Sequence, residues 1–239
     1  MTKRNLFLIT ARAGSKGVKD KNIREIGGLP LLAFKAISAK KSKYCDRLII
    51  STDSEEIAGV AAGYGVEVPF IRPDFLADDT SSSIDAILHT IDFLEKNENH
   101  RYETITLLQP SSPFATYNDF NNAIELYHQK NATSVIGMKE SITSQFIAPL
   151  DTDYKMSNHF KKMNNTSGVR RQDVIQEYTM NGALYVINWD YIKKEKNIYS
   201  DNSYGYIMEK EYSVDIDDYA DLHYATYLYE NVLDKTYWN

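Results

Sequence analysis

Apolar residues along this chain fall in short, β-branched runs separated by longer amphipathic stretches. Leu6–Ile9 is continuously apolar, as a strand buried on both faces must be. Gly27-Gly28 makes a turn, and Pro30 suits the first turn of a helix running to about Lys41. Arg47–Thr52 predicts a second strand, ending at Asp53. Ser54 with Glu55 and Glu56 opens a helix to about Tyr64, the acids complementing its N-terminal dipole. Val66–Ile71 is expected as a short strand stopped by Arg72-Pro73. Thr80 or a neighbouring serine caps a longer helix, in which Ile84, Ile87, Leu88, Ile91 and Leu94 recur at helical spacing. Thr104–Leu108 predicts a strand, Thr116 to about Gln129 a helix, and Ala132–Met138 another strand.

Strands alternating with helices imply βαβ units and a mostly parallel sheet. After Met138 the alternation breaks. Residues 139–178 are polar, rich in Asn and Lys and weakly periodic. A structureless stretch of that length is unusual inside a compact domain, so it reads as an excursion that packs on a partner or covers a site. Gly182–Asn188 resumes as a strand, and the chain closes with Tyr212–Asp215 and an amphipathic helix from about Asp218 to Leu233. Residues 1–239 are expected to form one α/β domain.

Composition narrows the classes. The net charge of −6 argues against a nucleic-acid partner. Cys45 is the only cysteine, which excludes an intrachain disulfide and favours a reducing compartment. No apolar run approaches membrane-spanning length and nothing before the first strand reads as a signal peptide, so a cytoplasmic protein is expected.

Against that acidic background one segment stands out. Arg12, Lys16, Lys19, Lys21 and Arg24 put five cations into thirteen positions directly after the first strand. Gly14 and Gly17 let the backbone approach an oxyanion, and Ser15 adds a hydroxyl. A basic Gly/Ser loop alone is often only a solvated turn. Its place at the carboxyl end of a strand, where open α/β sheets bind ligands, points to polyphosphate. The spacing is neither a Walker A loop nor the dinucleotide fingerprint.

Three other sites lie at predicted strand ends. Asp215 and Asp217 alternate onto one side of an extended chain, where two carboxylates can share Mg²⁺ with a triphosphate. Asp217 or Asp218 also suits the cap of the last helix. Gln109 is held in a stiff Gln-Pro-Ser-Ser-Pro turn, with an amide able to read a polar substrate. Arg171, shortly before Asn181, could clamp a carboxylate, although isolated arginines are usually solvated. His89, His128 and His223 share no spacing and read as structural or exposed.

The stretch from Ala11 to Asn22 resembles the signature of the acylneuraminate cytidylyltransferases, the CMP-sialic acid synthetases. The resemblance continues, in family order, through Arg72–Ser83, Leu107–Pro113, Arg171-Gln172, Asn181–Tyr185 and Asp215–Asp217. It implies a Rossmann-like nucleotidyltransferase core with an inserted dimerisation segment. It further implies Mg²⁺-dependent transfer of CMP from CTP to the anomeric hydroxyl of a nine-carbon 2-keto sugar acid, in a homodimer. Carried over by position, Arg12, Ser15, Lys16 and Lys21 would hold the triphosphate, with Arg12 and Lys21 catalytic. Asn22, Arg72 and Ser83 would contact the cytidine, and Gln109, Arg171, Asn181 and Tyr185 the sugar acid. Asp215 and Asp217 would hold Mg²⁺.

One departure stands out. The family usually continues its Gln-Pro-Thr-Ser-Pro turn with Leu-Arg, where this chain has Phe114-Ala115. Synthetases for the eight-carbon acid KDO typically carry Gly-Asp-Glu-Pro in place of Pro-Ser-Ser-Pro, which places this chain on the nine-carbon side. Two rivals stay open: a cytidylyltransferase for KDO or another acceptor, and a nonenzymatic nucleotide-binding relative.

Overall fold

The computed structural model describes residues 4–78, 81–144, 147–155 and 175–239. Its centre is β1 (Asn5–Thr10), flanked by β4 (Arg47–Ser51) and β5 (Thr104–Leu108), both parallel to it. Alternate residues of a strand face opposite sides, so Phe7 and Ile9 enter one core while Leu6 and Leu8 enter another. Helices α1 (Leu31–Lys41), α2 (Glu55–Gly63) and α4 (Tyr117–Lys130) supply Leu32, Ile57 and Phe120 to the first core. Helix α3 (Ser83–Asn97) and the short α5 (Trp189–Glu195) supply Ile87, Ile91 and Trp189 to the second. A small hairpin, β2 (Glu25–Ile26) and β3 (Leu29–Pro30), turns at Gly27-Gly28.

The remaining strands are β6 (Ser134–Ser141), β7 (Glu177–Asn188) and β8 (Ser203–Ile207), in the sheet order β4-β1-β5-β7-β6-β8. Only β7 runs against its neighbours, antiparallel to both β5 and β6. The sheet is therefore mostly parallel, as the alternation implied. The last helix, α6 (Tyr219–Asn231), lies in a third core with Val18, Phe34, Phe114, Ile216 and Trp238. Helix starts follow local chemistry. Ser54 caps α2, and Ser82, Thr116 and Asp218 form capping boxes on α3, α4 and α6, each cap contributing about 1 kcal/mol. Among the described residues, no helix is long and apolar enough to cross a membrane.

Four expectations need correction. Val66–Ile71 is not a strand. Glu67 makes one bridge to Ile49, and Pro69, lacking an N–H, ends the pairing. The break after Met138 is not immediate: Lys139, Glu140 and Ser141 pair with Thr179, Tyr178 and Glu177, so both ends of the 139–178 excursion are ribbon. Lys210–Tyr212 is a 3-10 turn, and Ser213–Asp218 follows without regular structure. Helix α5 and strand β8 were not foreseen. Seven residues are too few to show helical periodicity, and Ser-Tyr-Gly-Tyr-Ile carries little alternation.

The Phe114-Ala115 departure also has an explanation in packing. The Phe114 ring is wholly buried, edge-on to Phe34 at 5.4 Å, and Ala115 is buried in the first core. The ionisable group of that layer comes instead from α1. Lys35 is completely buried, donates to the Ala183 carbonyl at 2.8 Å and lies 5.7 Å from the centre of the Phe120 ring. Burial pushes its amine from 10.5 down to about 7, against the pull of Asp119 and Asp215.

An unfolded lysine keeps its proton well above pH 7, so between pH 7 and 9 the unfolded chain binds a proton that the folded chain has released. Stability should therefore rise with pH across that window, by on the order of 2 kcal/mol from Lys35 alone. Urea unfolding at both pH values should show the rise in the wild type and its loss in Lys35→Met. The unpaired Ala183 carbonyl of the variant would lower its whole curve without restoring the slope.

Candidate active site

The carboxyl ends of β1 and β5 open onto one cavity of about 250 Å³. Of the residues singled out in the sequence, Arg12, Ser15, Lys16, Lys21, Asn22, Arg72, Ser83 and Gln109 all line it. They come from the loop after β1, the connection between α2 and α3, the start of α3 and the turn after β5, regions that only the folded sheet brings together.

The loop is held by its own polar groups. Asn22 is buried and donates its amide to the Arg12 carbonyl at 2.9 Å. The Arg12 guanidinium reaches the Asp78 carbonyl at 2.7 Å. Lys21 donates to the Ile216 carbonyl at 2.6 Å and lies 3.7 Å from the Asp217 carboxylate. Arg72 is 5% exposed, and its pKa is lowered by burial and by the nearby Arg12, with Asp53 opposing. Its Nε is buried without a partner, a donor aimed at nothing in the protein. The Gln109 amide donates to Ser83 Oγ at 3.3 Å, tying the start of α3 to the turn after β5.

Behind Gln109, which lines the cavity, Gly182 packs close to Asp215. A methyl group on this glycine, whose φ is +70°, would sit 2.8 Å from Ser112 Oγ, 3.2 Å from Gln109 Oε1 and 3.5 Å from Asp215 Oδ2. Those three polar groups therefore converge where only glycine fits. Ser112 Oγ lies 2.8 Å from the Asn181 carbonyl and 2.9 Å from Asp215 Oδ1. Ile216, between the two aspartates, is buried, while Asp217 is exposed and Asp215 partly so, which leaves both carboxylates on the side away from the core. Among the described residues no group of three or more metal-ligating side chains forms. Two carboxylates are nevertheless the donor set that Mg²⁺ takes when phosphates and water complete its shell, so the pair fits that ion.

Asn181, expected at the sugar acid, is engaged inside the protein. It is 1% exposed, and its amide donates to Met208 Sδ and Ser213 Oγ while its Oδ1 accepts the Ala183 N–H. With its polar capacity used inside the protein, it supports the turn at Gly182 from behind. Tyr185 is half-buried on β7 opposite Leu107 and Ile136, its phenol pushed up to about 12 by burial, then by Tyr199 and Asp215. Arg171 lies outside the described residues.

A family profile described as Cytidylyltransferase matches residues 6–236, nearly the whole chain. The chain belongs to the cytidylyltransferase family. It is 35% identical, over 92% of its length, to an N-acylneuraminate cytidylyltransferase of Escherichia coli, but spans only 51% of that relative. It is 32% identical to a CMP-N,N'-diacetyllegionaminic acid synthase of Legionella pneumophila, covering 90% of this chain and 91% of that one. Among solved structures, a CMP:2-keto-3-deoxy-manno-octonic acid synthetase complexed with CTP superposes with a TM-score of 0.70 over 97% of this chain and 100% of that one. At 12% identity that likeness shows the fold alone.

Sequence reasoning about this cytidylyltransferase passed over two residues of the site. Ser112 stood inside a turn already singled out, but nothing local says that its hydroxyl reaches Asp215. Asp53 ends a strand, which was the available signal. Its carboxylate accepts the Ala13 N–H at 3.0 Å and faces Arg72.

Gly17 closes the site against the C-terminal segment. A Cβ there would lie 1.9 Å from the Asp217 carbonyl oxygen, so Gly17→Ala forces the loop away from that backbone. Overpacking of this kind costs roughly 1–3 kcal/mol, and urea unfolding should report it together with weakened nucleotide binding. Gly59→Ala is the control. That glycine lies on α2 with open space around it, so the alanine should raise stability by up to about 1 kcal/mol.

Proposed function

We propose that this cytidylyltransferase transfers CMP from CTP to the anomeric hydroxyl of a nine-carbon 2-keto sugar acid of sialic, legionaminic or pseudaminic type, releasing pyrophosphate. The observation that carries the reading is the single cavity. It joins a cationic Gly/Ser loop to a buried arginine with an unpartnered donor and to Gln109, and Lys21 of that loop lies 3.7 Å from Asp217. The names of relatives matched over nine-tenths or more of this chain, which include N-acylneuraminate, legionaminic and pseudaminic acids, support the acceptor class. The KDO-type likeness is one of fold.

In this reading Arg12, Ser15, Lys16 and Lys21 hold the triphosphate, and their charge stabilises the departing pyrophosphate. The buried Arg72, with Ser83 and Asn22, faces the cytidine, where its free Nε–H requires an acceptor. Gln109, Tyr185 and Arg171 address the acceptor sugar, with Asn181 holding Gly182 in place. Asp215 and Asp217 would hold Mg²⁺, which when bound neutralises phosphate charge and makes the α-phosphorus more electrophilic. The acceptor's anomeric oxygen then bonds to that phosphorus as the bond to pyrophosphate breaks. A reducing, cytoplasmic setting suits the lone Cys45, whose thiol is pushed up to about 12 by burial and Asp46 and is inert as a nucleophile.

Pyrophosphate release with CTP, Mg²⁺ and a panel of 2-keto sugar acids tests the reading. Arg12→Ala and Lys21→Ala should each lose on the order of 10²–10³ in kcat. UTP should be rejected by roughly 10⁴-fold, because exchanging cytosine for uracil leaves one buried partner unpaired. Arg171→Ala should weaken acceptor use far more than CTP binding. Near-normal turnover by the loop variants, equal use of UTP, or KDO as best acceptor would each sink it.

The homodimer belongs to the same proposal. Beyond the ribbon, Ile142, Ile147, Leu150, Tyr154 and Ile175 are exposed, and on it Tyr178 and Met180 border an apolar groove with Tyr199 and Tyr204. A second copy is the proposed occupant of this surface, completing the sugar pocket. Light scattering should give a dimer, shifted to monomer by Met180→Lys. A fully active wild-type monomer would refute the arrangement.

A further inference from the structure

Two halves of the cavity have so far been treated separately: the loop after β1, which addresses phosphate, and Arg72, which addresses the base. They meet at one carboxylate. Asp53 sits at the carboxyl end of β4, two residues beyond Ser51, with its side chain only 15% exposed. Its Oδ1 accepts the Ala13 backbone N–H at 3.0 Å and lies 3.7 Å from Arg72 Nη2. The Arg72 backbone is anchored from the same strand end, its N–H donating to the Thr52 carbonyl at 2.7 Å. We propose that Asp53 is a positioning residue that locks the phosphate loop and the base-facing arginine into one geometry, so that a nucleoside triphosphate is bound as a single rigid object rather than as phosphate and base separately.

The physical case rests on three points. First, Ala13 lies between Arg12 and Gly14, where Gly14 adopts φ +71°, and the Asn22, Arg12 and Lys21 bonds that hold the loop are made by side chains to either side of it. The Asp53 bond supplies one from outside the loop. Second, Arg12 and Arg72 line the same cavity and repel each other, and a carboxylate beside Arg72 offsets that repulsion where water is largely excluded. Third, one oxygen serves both contacts. Any displacement of Arg72 is thus transmitted to Ala13 through a group without spare length. Asp53 itself does not line the cavity and acts through its two partners.

The two contacts can be separated by substitution, because an asparagine keeps an acceptor for the Ala13 N–H but loses the charge facing Arg72. The inference rests on the nucleotide reading above, so the test measures binding directly by calorimetry, with Mg²⁺, on the full chain. CTP reports both halves, and inorganic tripolyphosphate reports the loop alone. Asp53→Asn should weaken CTP by on the order of tenfold and leave tripolyphosphate nearly unchanged. Asp53→Ala, which removes both contacts, should weaken both ligands by on the order of tenfold. A merely structural role would move both ligands equally in both variants, and that result, or unchanged CTP affinity in Asp53→Ala, overturns the proposal. UTP and ATP titrated into the wild type keep the two readings apart. A preference for either would sink the cytidine assignment, while the Asp53 variants would then be judged on the preferred nucleotide.

Discussion

The site depends on a seam between two segments two hundred residues apart in sequence. The backbone of Gly17 lies against the carbonyl of Asp217 closely enough to exclude any side chain, and Lys21 donates to the carbonyl of Ile216 beside it. Beneath this contact Val18 and Ile216 are both wholly buried in the third core, with Phe34, Phe114 and Trp238. Hydrophobic burial is non-directional, and at roughly 25 cal/mol per Å² it supplies adhesion but not register. Register comes from the glycine and the lysine. Together they bring the cationic loop after β1 against the segment that carries Asp215 and Asp217.

The second constraint is the direction of β7. A parallel strand beside β5 would bring its carboxyl end to the cavity. The reversed strand instead brings its Asn181-Gly182 segment there, next to the Gln109 turn. Asn181 is sealed into the interior, and the glycine admits Ser112, Gln109 and Asp215 around it. The same reversal makes β6 and β7 one antiparallel ribbon that continues beyond the sheet into the excursion. One topological choice therefore shapes the polar end of the cavity and projects the apolar surface proposed to meet a second copy.

Buried ionisable groups mark where the fold spends stability on placement. Lys35 sits dry on the Ala183 carbonyl, behind Gly182, and Arg72 is nearly enclosed with an open donor. An apolar residue would be cheaper at either position. For Arg72 the proposed return is recognition of the base. For Lys35 it is a fixed β7 backbone at the place where the acceptor is proposed to bind.

What the sequence determined by itself was whatever depends on local pattern. The main strands and helices through residue 138, apart from Val66–Ile71 and the small β2–β3 hairpin, the helix caps at Ser54, Thr116 and Asp218, and the position of the cationic loop all follow from periodicity, capping chemistry and chain order. Most of the expected site residues lay in motifs beside strand ends, which is why eight of them line one cavity. Tertiary structure decided what depends on a distant partner. Asn181 is as polar in sequence as Gln109, yet one is internal and the other lines the cavity: Asn181 falls in the extra β7 residues between Met180, paired with Met138, and Tyr185, paired with Ile136. Asp53 looked like a strand end until Ala13 and Arg72 arrived from either side, and nothing local marks Lys35 as buried, yet α4 and β7 enclose it. A carboxylate or an amine has no fixed role in a sequence. It takes one from the groups that remove its water, and only the folded chain brings those groups together.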